Sequence, residues 1–414
     1  MSGQSNMGQG SPVLHNTWRN ASYAGVLAGN YTNIVLYQDQ SSVAWPMAPG
    51  NFVTGPANPT LKLTPDILPS DLDAAAATST FFAMKLTDLY RELGLPPPPI
   101  QIYNNAVGGT NLGQWASYES QLECLGEKPA CLCYDNFAQY CNVSVPLSNR
   151  TYCSCNGMLW GSQTQPLLNL TIKGLVYWQG EADTTFNARG YTCQLRAMIS
   201  AYRAAWAAGG TTPGDFPFGV VLLADGTDGG APYNMANMLL AQARAVALSQ
   251  PNAFLVSAFD LGDPWMDYAD GSKCQKEGCC VAPGQALGVN CTGDHRGQWD
   301  NRTNMDFGGE HPRTKDLVAA RMAQSVYAAV YAAPAPSNSN TPQLLATGPV
   351  AQGCSITGTQ LTLRFDAQAL KGERVQVVKP PGYTLSTQLE NTALYLLVNA
   401  TLPPDAGLLE PCCR

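Results

Sequence analysis

Ser5, in the stretch Ser2-Gly3-Gln4-Ser5-Asn6-Met7, is a candidate nucleophile. A serine hydroxyl attacks a carbonyl only where a base takes its proton. Ester hydrolysis also needs donors aimed at the oxyanion of the tetrahedral intermediate. Three later stretches carry residue types suited to those tasks: Val107-Gly108-Gly109-Thr110-Asn111, Tyr177-Trp178-Gln179-Gly180-Glu181 and Glu310-His311-Pro312-Arg313. Gly109 has no Cβ, so its N–H can come close to a substrate. Gln179 is a polar residue closing the apolar run Leu175 to Trp178. Of three histidines, His311 is best placed to act as base, since His15 falls in a polar loop and His295 in a Cys-rich segment. The serine is not in a Gly-x-Ser-x-Gly context, so the α/β-hydrolase elbow is the wrong template. Each residue also has a plainer role open to it: a helix cap for Ser5, a strand-to-loop turn for Gly109, a loop partner for Gln179, a structural imidazole for His311.

Elements that could position these groups follow from the apolar spacing. Ile34 to Tyr37, Ile100 to Tyr103, Ile172 to Trp178, Phe218 to Leu223 and Ala253 to Phe259 read as strands. Between them, Ala74 to Leu93, Tyr191 to Trp206 and Asn234 to Ser249 read as helices, and Asp316 to Tyr331 as a last one. Phe82, Leu86, Leu89 and Leu93 share one helical face, and Gly94 followed by Pro96 to Pro99 ends that helix. Alternating strands and helices predict an α/β fold with a parallel sheet covered on both faces. Ligands of such sheets bind beyond the carboxyl ends of the strands, which is where the candidate stretches fall. Ala332 to Pro342 reads as a linker. Beyond it, Leu361 to Phe365, Val375 to Val377 and Ala393 to Val398 alternate as half-exposed strands, predicting a small all-β domain over 343–414.

The totals narrow the class. The chain has 414 residues, 45% hydrophobic and only 13% charged, with a net charge of −7. No basic block suits nucleic acid as a partner, and no apolar run reaches the length of a membrane span. Ten of the 14 cysteines crowd into two segments, one holding Cys124, Cys131, Cys133, Cys141, Cys153 and Cys155, the other Cys274, Cys279, Cys280 and Cys291. No Cys-x2-Cys pair supports zinc, so no metal is expected. Disulfides in an oxidising compartment are, closed mostly within each cluster because short loops close cheaply. The clusters define surface insertions at about 116–165 and 265–305. Sequons at Asn20, Asn30, Asn142, Asn149, Asn169, Asn290, Asn301 and Asn399 agree with a secreted or lumenal glycoprotein.

In their order and distances, the four stretches around Ser5, Gly109, Gln179 and His311 resemble the blocks of the SGNH hydrolase superfamily, and within it the sialate O-acetylesterase-like branch. The resemblance covers roughly residues 1–331. It implies a three-layer α/β/α, flavodoxin-like esterase domain with the Cys-rich insertions, the linker 332–342 and a small β domain at 343–414. It implies a serine esterase that removes O-acetyl groups from a sugar, either sialic acid or a cell-wall polysaccharide, with no cofactor. The oxyanion hole would combine the N–H groups of Ser5 and Gly109 with the Gln179 amide, and His311 would be the base. The superfamily places an Asp two or three residues before that histidine, where this chain has Gly309 and Gly308. Asp306 is the preferred orienting acid, with Glu310 or a backbone carbonyl as alternatives. Glu181 is a further carboxylate near the site, outside the catalytic set. Trp115, Tyr177 and Trp178 are candidates for the pocket wall, Trp178 more suited to the core. A glycan-binding protein with an inactive esterase pocket is the rival reading.

In the superfamily the nucleophile ends the first strand, which lies between the second and third in the sheet. Only Met1 and Ser2 precede Gly3 here. The expectation is therefore that the sheet lacks this strand, and that the chain is a truncated form of a longer secreted protein with an apolar strand and a signal peptide upstream.

Overall fold

The computed structural model describes residues 1–8, 16–38, 60–124, 157–184, 190–224, 232–261, 315–332, 346–347, 351–357 and 360–365. In chain order the strands are β1 (Ser2–Gly3), β2 (Ile34–Gln38), β3 (Thr60–Lys62), β4 (Ile100–Ala106), β5 (Leu175–Trp178), β6 (Phe218–Leu222), β7 (Ala253–Ser257), β8 (Ala351–Thr357) and β9 (Gln360–Phe365). The helices are α1 (Ser5–Gly8), α2 (Asn16–Leu27), α3 (Pro69–Ala74), α4 (Ala77–Glu92), α5 (Leu112–Trp115), α6 (Tyr118–Leu122), α7 (Glu181–Thr184), α8 (Tyr191–Ala208), α9 (Pro232–Leu248) and α10 (Lys315–Val326).

Seven strands form one sheet in the order β3-β2-β4-β1-β5-β6-β7. All neighbours run parallel except β3, which pairs antiparallel with β2 at the edge. Helices flank the sheet: α4 packs with α10, and α8 with α9. β5 reads as an unbroken apolar run because both faces of the sheet are covered there, and all four of its residues are buried.

The expected gap at the first strand is not there in full. Ser2 and Gly3 form a two-residue strand between β4 and β5, with Ser2 opposite Asn105 and Tyr177, and Gly3 opposite Ala106 and Trp178. The Met1 amine donates to Tyr103 O at 2.6 Å, and Asn105 N–H donates to Met1 O at 2.9 Å. So short a strand carries no apolar pattern of its own; its place is set by its two neighbours.

The predicted helix from Ala74 is two helices. Ala75 and Ala76 are extended and fully buried between α3 and α4, and Thr80 Oγ1 bonds back to Ala76 O at 2.9 Å. Alanine favours a helix, so composition gives no sign of this break. The other end matches expectation: Gly94 N–H bonds Arg91 O and Leu95 N–H bonds Tyr90 O, satisfying the last carbonyls of α4. The final helix passes from α10 into a π-helical turn over Tyr327–Tyr331.

Cys124 is bonded to Cys193 of α8, a cysteine 69 residues away that belongs to neither cluster. For this cysteine, closure within the cluster is therefore overturned: packing of α6 beside α8 brings the two sulfurs together. The remaining cysteines of the two clusters lie outside the described residues. Toward the C-terminus, β8 and β9 form an antiparallel pair. The expected strands at Val375–Val377 and Ala393–Val398 lie outside the described residues. No helix among the described residues is long and apolar enough to cross a membrane.

Candidate active site

Three strand ends meet in register. Gly3, the last residue of β1, is opposite Ala106 of β4 and Trp178 of β5. Parallel strands with aligned ends deliver the segments that follow them to the same place. Those segments are Gln4-Ser5-Asn6, Val107-Gly108-Gly109 and Gln179-Gly180-Glu181. The structure thus brings together three of the four stretches. The fourth, with Asp306, Glu310 and His311, lies outside the described residues; Lys315, four residues after His311, opens α10.

Ser5 is the first residue of α1 and is partly exposed. Its turn is held on both sides. Gln4 N–H donates to Trp178 O at 3.0 Å, and Gln4 O accepts from the N–H groups of Met7 and Gly8. On the other side the Asn6 carbonyl accepts from Thr78 Oγ1 at 2.6 Å. The Asn6 amide donates to Glu181 Oε1 at 2.6 Å and accepts from Lys315 Nζ.

The Gly108-Gly109 turn lies against the serine. A Cβ on Gly108 would stand 3.5 Å from Ser5 Cβ. Gly109 has φ +70°, a left-handed conformation natural to glycine. The turn is tied down by Val107 N–H to Gly3 O and by Thr110 Oγ1 to Val107 O. Asn111 and Gln114 then form a reciprocal capping box that starts α5.

Gln179 is fully buried. Its Nε2 donates to Asp183 Oδ2 at 2.6 Å and Thr110 O at 2.9 Å, with Gln4 Oε1 at 3.4 Å. Its Oε1 accepts from Tyr191 Oη at 2.9 Å. The amide hydrogens are thus engaged within the protein, one of them on the residue next to Gly109. Asp183 also accepts the Leu112 N–H at 2.9 Å. It was not a candidate from the sequence, although its spacing after Gln179 and Glu181 places it in the same short helix.

The floor of the site holds buried charge. Glu181 is 9% exposed and Lys315 fully buried. Burial pushes the Glu181 carboxyl up to about 7, opposed by the Asn6 hydrogen bond and the Lys315 charge. Burial lowers the Lys315 ammonium to about 7, opposed by Glu181. Burial likewise raises Asp183 to about 6, opposed by the bonds from Gln179 and Leu112. The Lys315 ammonium also sits 4.7 Å from the centre of the Trp178 ring. Sequence reasoning missed Lys315; its signal was a cation at the N-terminus of the helix that follows His311.

Trp115, Tyr177 and Trp178 are all fully buried. Trp178 is core as expected, and Trp115 joins it: its Nε1 bonds Thr110 Oγ1 and its ring packs edge-on to Tyr177. Full burial, of Tyr177 in β5 and of Trp115 in α5, leaves neither a surface for a pocket wall.

Sialate O-acetylesterase of Homo sapiens is 29% identical over 228 residues, covering 53% of this chain and 40% of the human protein. The Rattus norvegicus sialate O-acetylesterase is 27% identical over 242 residues, 53% of this chain and 43% of the rat protein. The chain thus matches less than half the length of these relatives. A crystal structure of a carbohydrate acetylesterase from Xanthomonas citri superposes with a TM-score of 0.53 at 20% identity, covering 89% of this chain and 62% of that one; the likeness is one of fold. The profile of the carbohydrate esterases described as sialic acid-specific acetylesterases matches residues 1–266, so this chain belongs to that family.

Proposed function

We propose that this protein hydrolyses O-acetyl esters on a sugar, with Ser5 as nucleophile. The observation that carries the reading is the register of β1, β4 and β5, which sets Ser5 beside the Gly108-Gly109 turn at the carboxyl edge of the sheet. The Ser5 hydroxyl attacks the acetyl carbonyl and its proton passes to His311, oriented by Asp306, with Glu310 the alternative acid. The oxyanion is held by the N–H groups of Ser5 and Gly109. Gln179 supports this hole through its bond to Thr110 O; to donate directly it would exchange that bond for the oxyanion. The sugar alcohol leaves with the proton from His311. Water, activated by the same base, then releases acetate and restores Ser5.

The substrate class is an O-acetylated carbohydrate, sialic acid being the first choice from the family and an acetylated polysaccharide the second. The sheet is read as the core of a three-layer, flavodoxin-like domain over 1–331, followed by a linker at 332–342 and a small β domain at 343–414. A secreted or lumenal site fits the Cys124–Cys193 bond and the exposed sequon residues Asn30 and Asn169.

Turnover of p-nitrophenyl acetate, O-acetylated sialic acid and acetyl-xylan, measured in parallel with Ser5→Ala, tests the reading. Acetate release by the wild type and none by S5A is expected. Glycan binding without release of acetate from any of the three would replace it with an inactive binding pocket.

A further inference from the structure

The residue after the candidate nucleophile is anchored at three points. The Asn6 carbonyl accepts Thr78 Oγ1, its Nδ2 donates to Glu181 Oε1, and its Oδ1 accepts from Lys315 Nζ. Asn6 is fully buried, so these bonds form where water cannot replace them. The amide stands between an ammonium and a carboxylate with its polarity matched to both: oxygen toward the cation, N–H toward the anion. Reversing it would set N–H against N–H and oxygen against oxygen. Lys315 comes from α10, 309 residues away in sequence, and has no solvent of its own. Its charge is met by the Asn6 oxygen and by the face of Trp178, the residue whose carbonyl holds Gln4. Both flanks of Ser5 therefore end on groups that Lys315 touches. A buried lysine is costly unless it is paired, and an apolar side chain would fill the same space without that cost.

We propose that Lys315, acting through Asn6 with Glu181 as its counter-charge, is a positioning residue that fixes the orientation of the Ser5 hydroxyl and N–H for attack. The inference rests on Ser5 being the nucleophile. Lys315 does not touch the reacting atoms; it sets the tilt of α1, and with it both groups that Ser5 contributes. Lost positioning acts on the chemical step more than on sugar binding, because it displaces the attacking group. A misplacement of this kind costs on the order of 10- to 100-fold in rate.

The test compares Lys315→Met with wild type on p-nitrophenyl acetate and on the best sugar ester, reading kcat and KM separately, with near-UV circular dichroism to check the fold. K315M is expected to lose at least about tenfold in kcat with KM nearly unchanged. The double variant K315M/E181Q, which removes both charges, is expected to regain part of that loss. If K315M does not fold, Asn6→Ser cuts the bridge while leaving both charges in place and carries the same comparison. A folded K315M, or N6S in its stead, with wild-type kcat overturns the positioning role. So does a loss confined to KM, or a double variant no faster than K315M. Inactive wild type on every acetyl ester would instead overturn the esterase reading, so the two failures are distinguishable.

Discussion

Gly3 and Trp178 touch backbone to backbone: a Cβ added at residue 3 would lie 2.0 Å from the Trp178 carbonyl oxygen. Gly3 also holds φ at +146°, where side chains are strained. This contact lets β1 sit between β4 and β5 and aims Gln4 N–H at the same carbonyl. Gly3→Ala should therefore lower stability by at least about 1–3 kcal/mol from backbone strain alone, and the clash adds to it. Urea unfolding followed by tryptophan fluorescence measures this. A change below experimental error would mean that the β1–β5 contact is looser than described.

Gln179→Ala removes the donor of the 2.6 Å bond to Asp183 and of the 2.9 Å bond to Thr110 O. The variant should lose about 1–3 kcal/mol of stability, because a buried carboxylate is left short of a partner. Its kcat should fall roughly a hundredfold, the scale of a damaged oxyanion hole. Thermal melts and steady-state kinetics on one preparation separate the two effects. A stability loss with unchanged kcat would confine Gln179 to a structural role.

Asp183 binds its proton more tightly in the folded chain, its pKa raised from 3.8 to about 6 mainly by burial. The contribution to stability is then fully present below the unfolded value and is lost as pH rises through the folded one. Between about pH 4 and 6 this amounts to on the order of 2–3 kcal/mol. Asp183→Asn removes the titration. The stability of wild type minus that of D183N should fall across that window and level off above it. Chemical unfolding at several pH values reads the difference, and a flat difference would show that Gln179 and Leu112 offset the burial.

The bond from Cys124 to Cys193 closes a separation of 69 residues. Cys193→Ser should cost about 2–4 kcal/mol, chiefly by freeing the unfolded chain. Differential scanning calorimetry checks the cost. Peptide mapping of unreduced protein should recover Cys124 and Cys193 in one linked fragment; recovery of Cys124 linked to a neighbour in its own segment would contradict the pairing.

Local pattern carried much of this protein. The apolar spacing of Phe82, Leu86 and Leu89 placed α4, the run at 175–178 placed β5, and Gly94 marked the helix end that its hydrogen bonds confirm. The stretches around Ser5, Gly109 and Gln179 pointed to the carboxyl edge of the sheet, because side-chain type and position beside a strand or helix end are properties of a short stretch of chain. Tertiary structure decided the rest. The two-residue β1 has no pattern to read and exists only because β4 and β5 hold it. The break at Ala75–Ala76 runs against the propensity of alanine. Cys124 found Cys193 rather than a nearer cysteine because α6 lies on α8. Asn6, Glu181 and Lys315 are separated by 175 and 309 residues from Asn6 outward, and each alone reads as an ordinary polar side chain. Only burial turns them into a network, since an ammonium and a carboxylate withdrawn from water must be met by whatever polar group the fold puts between them.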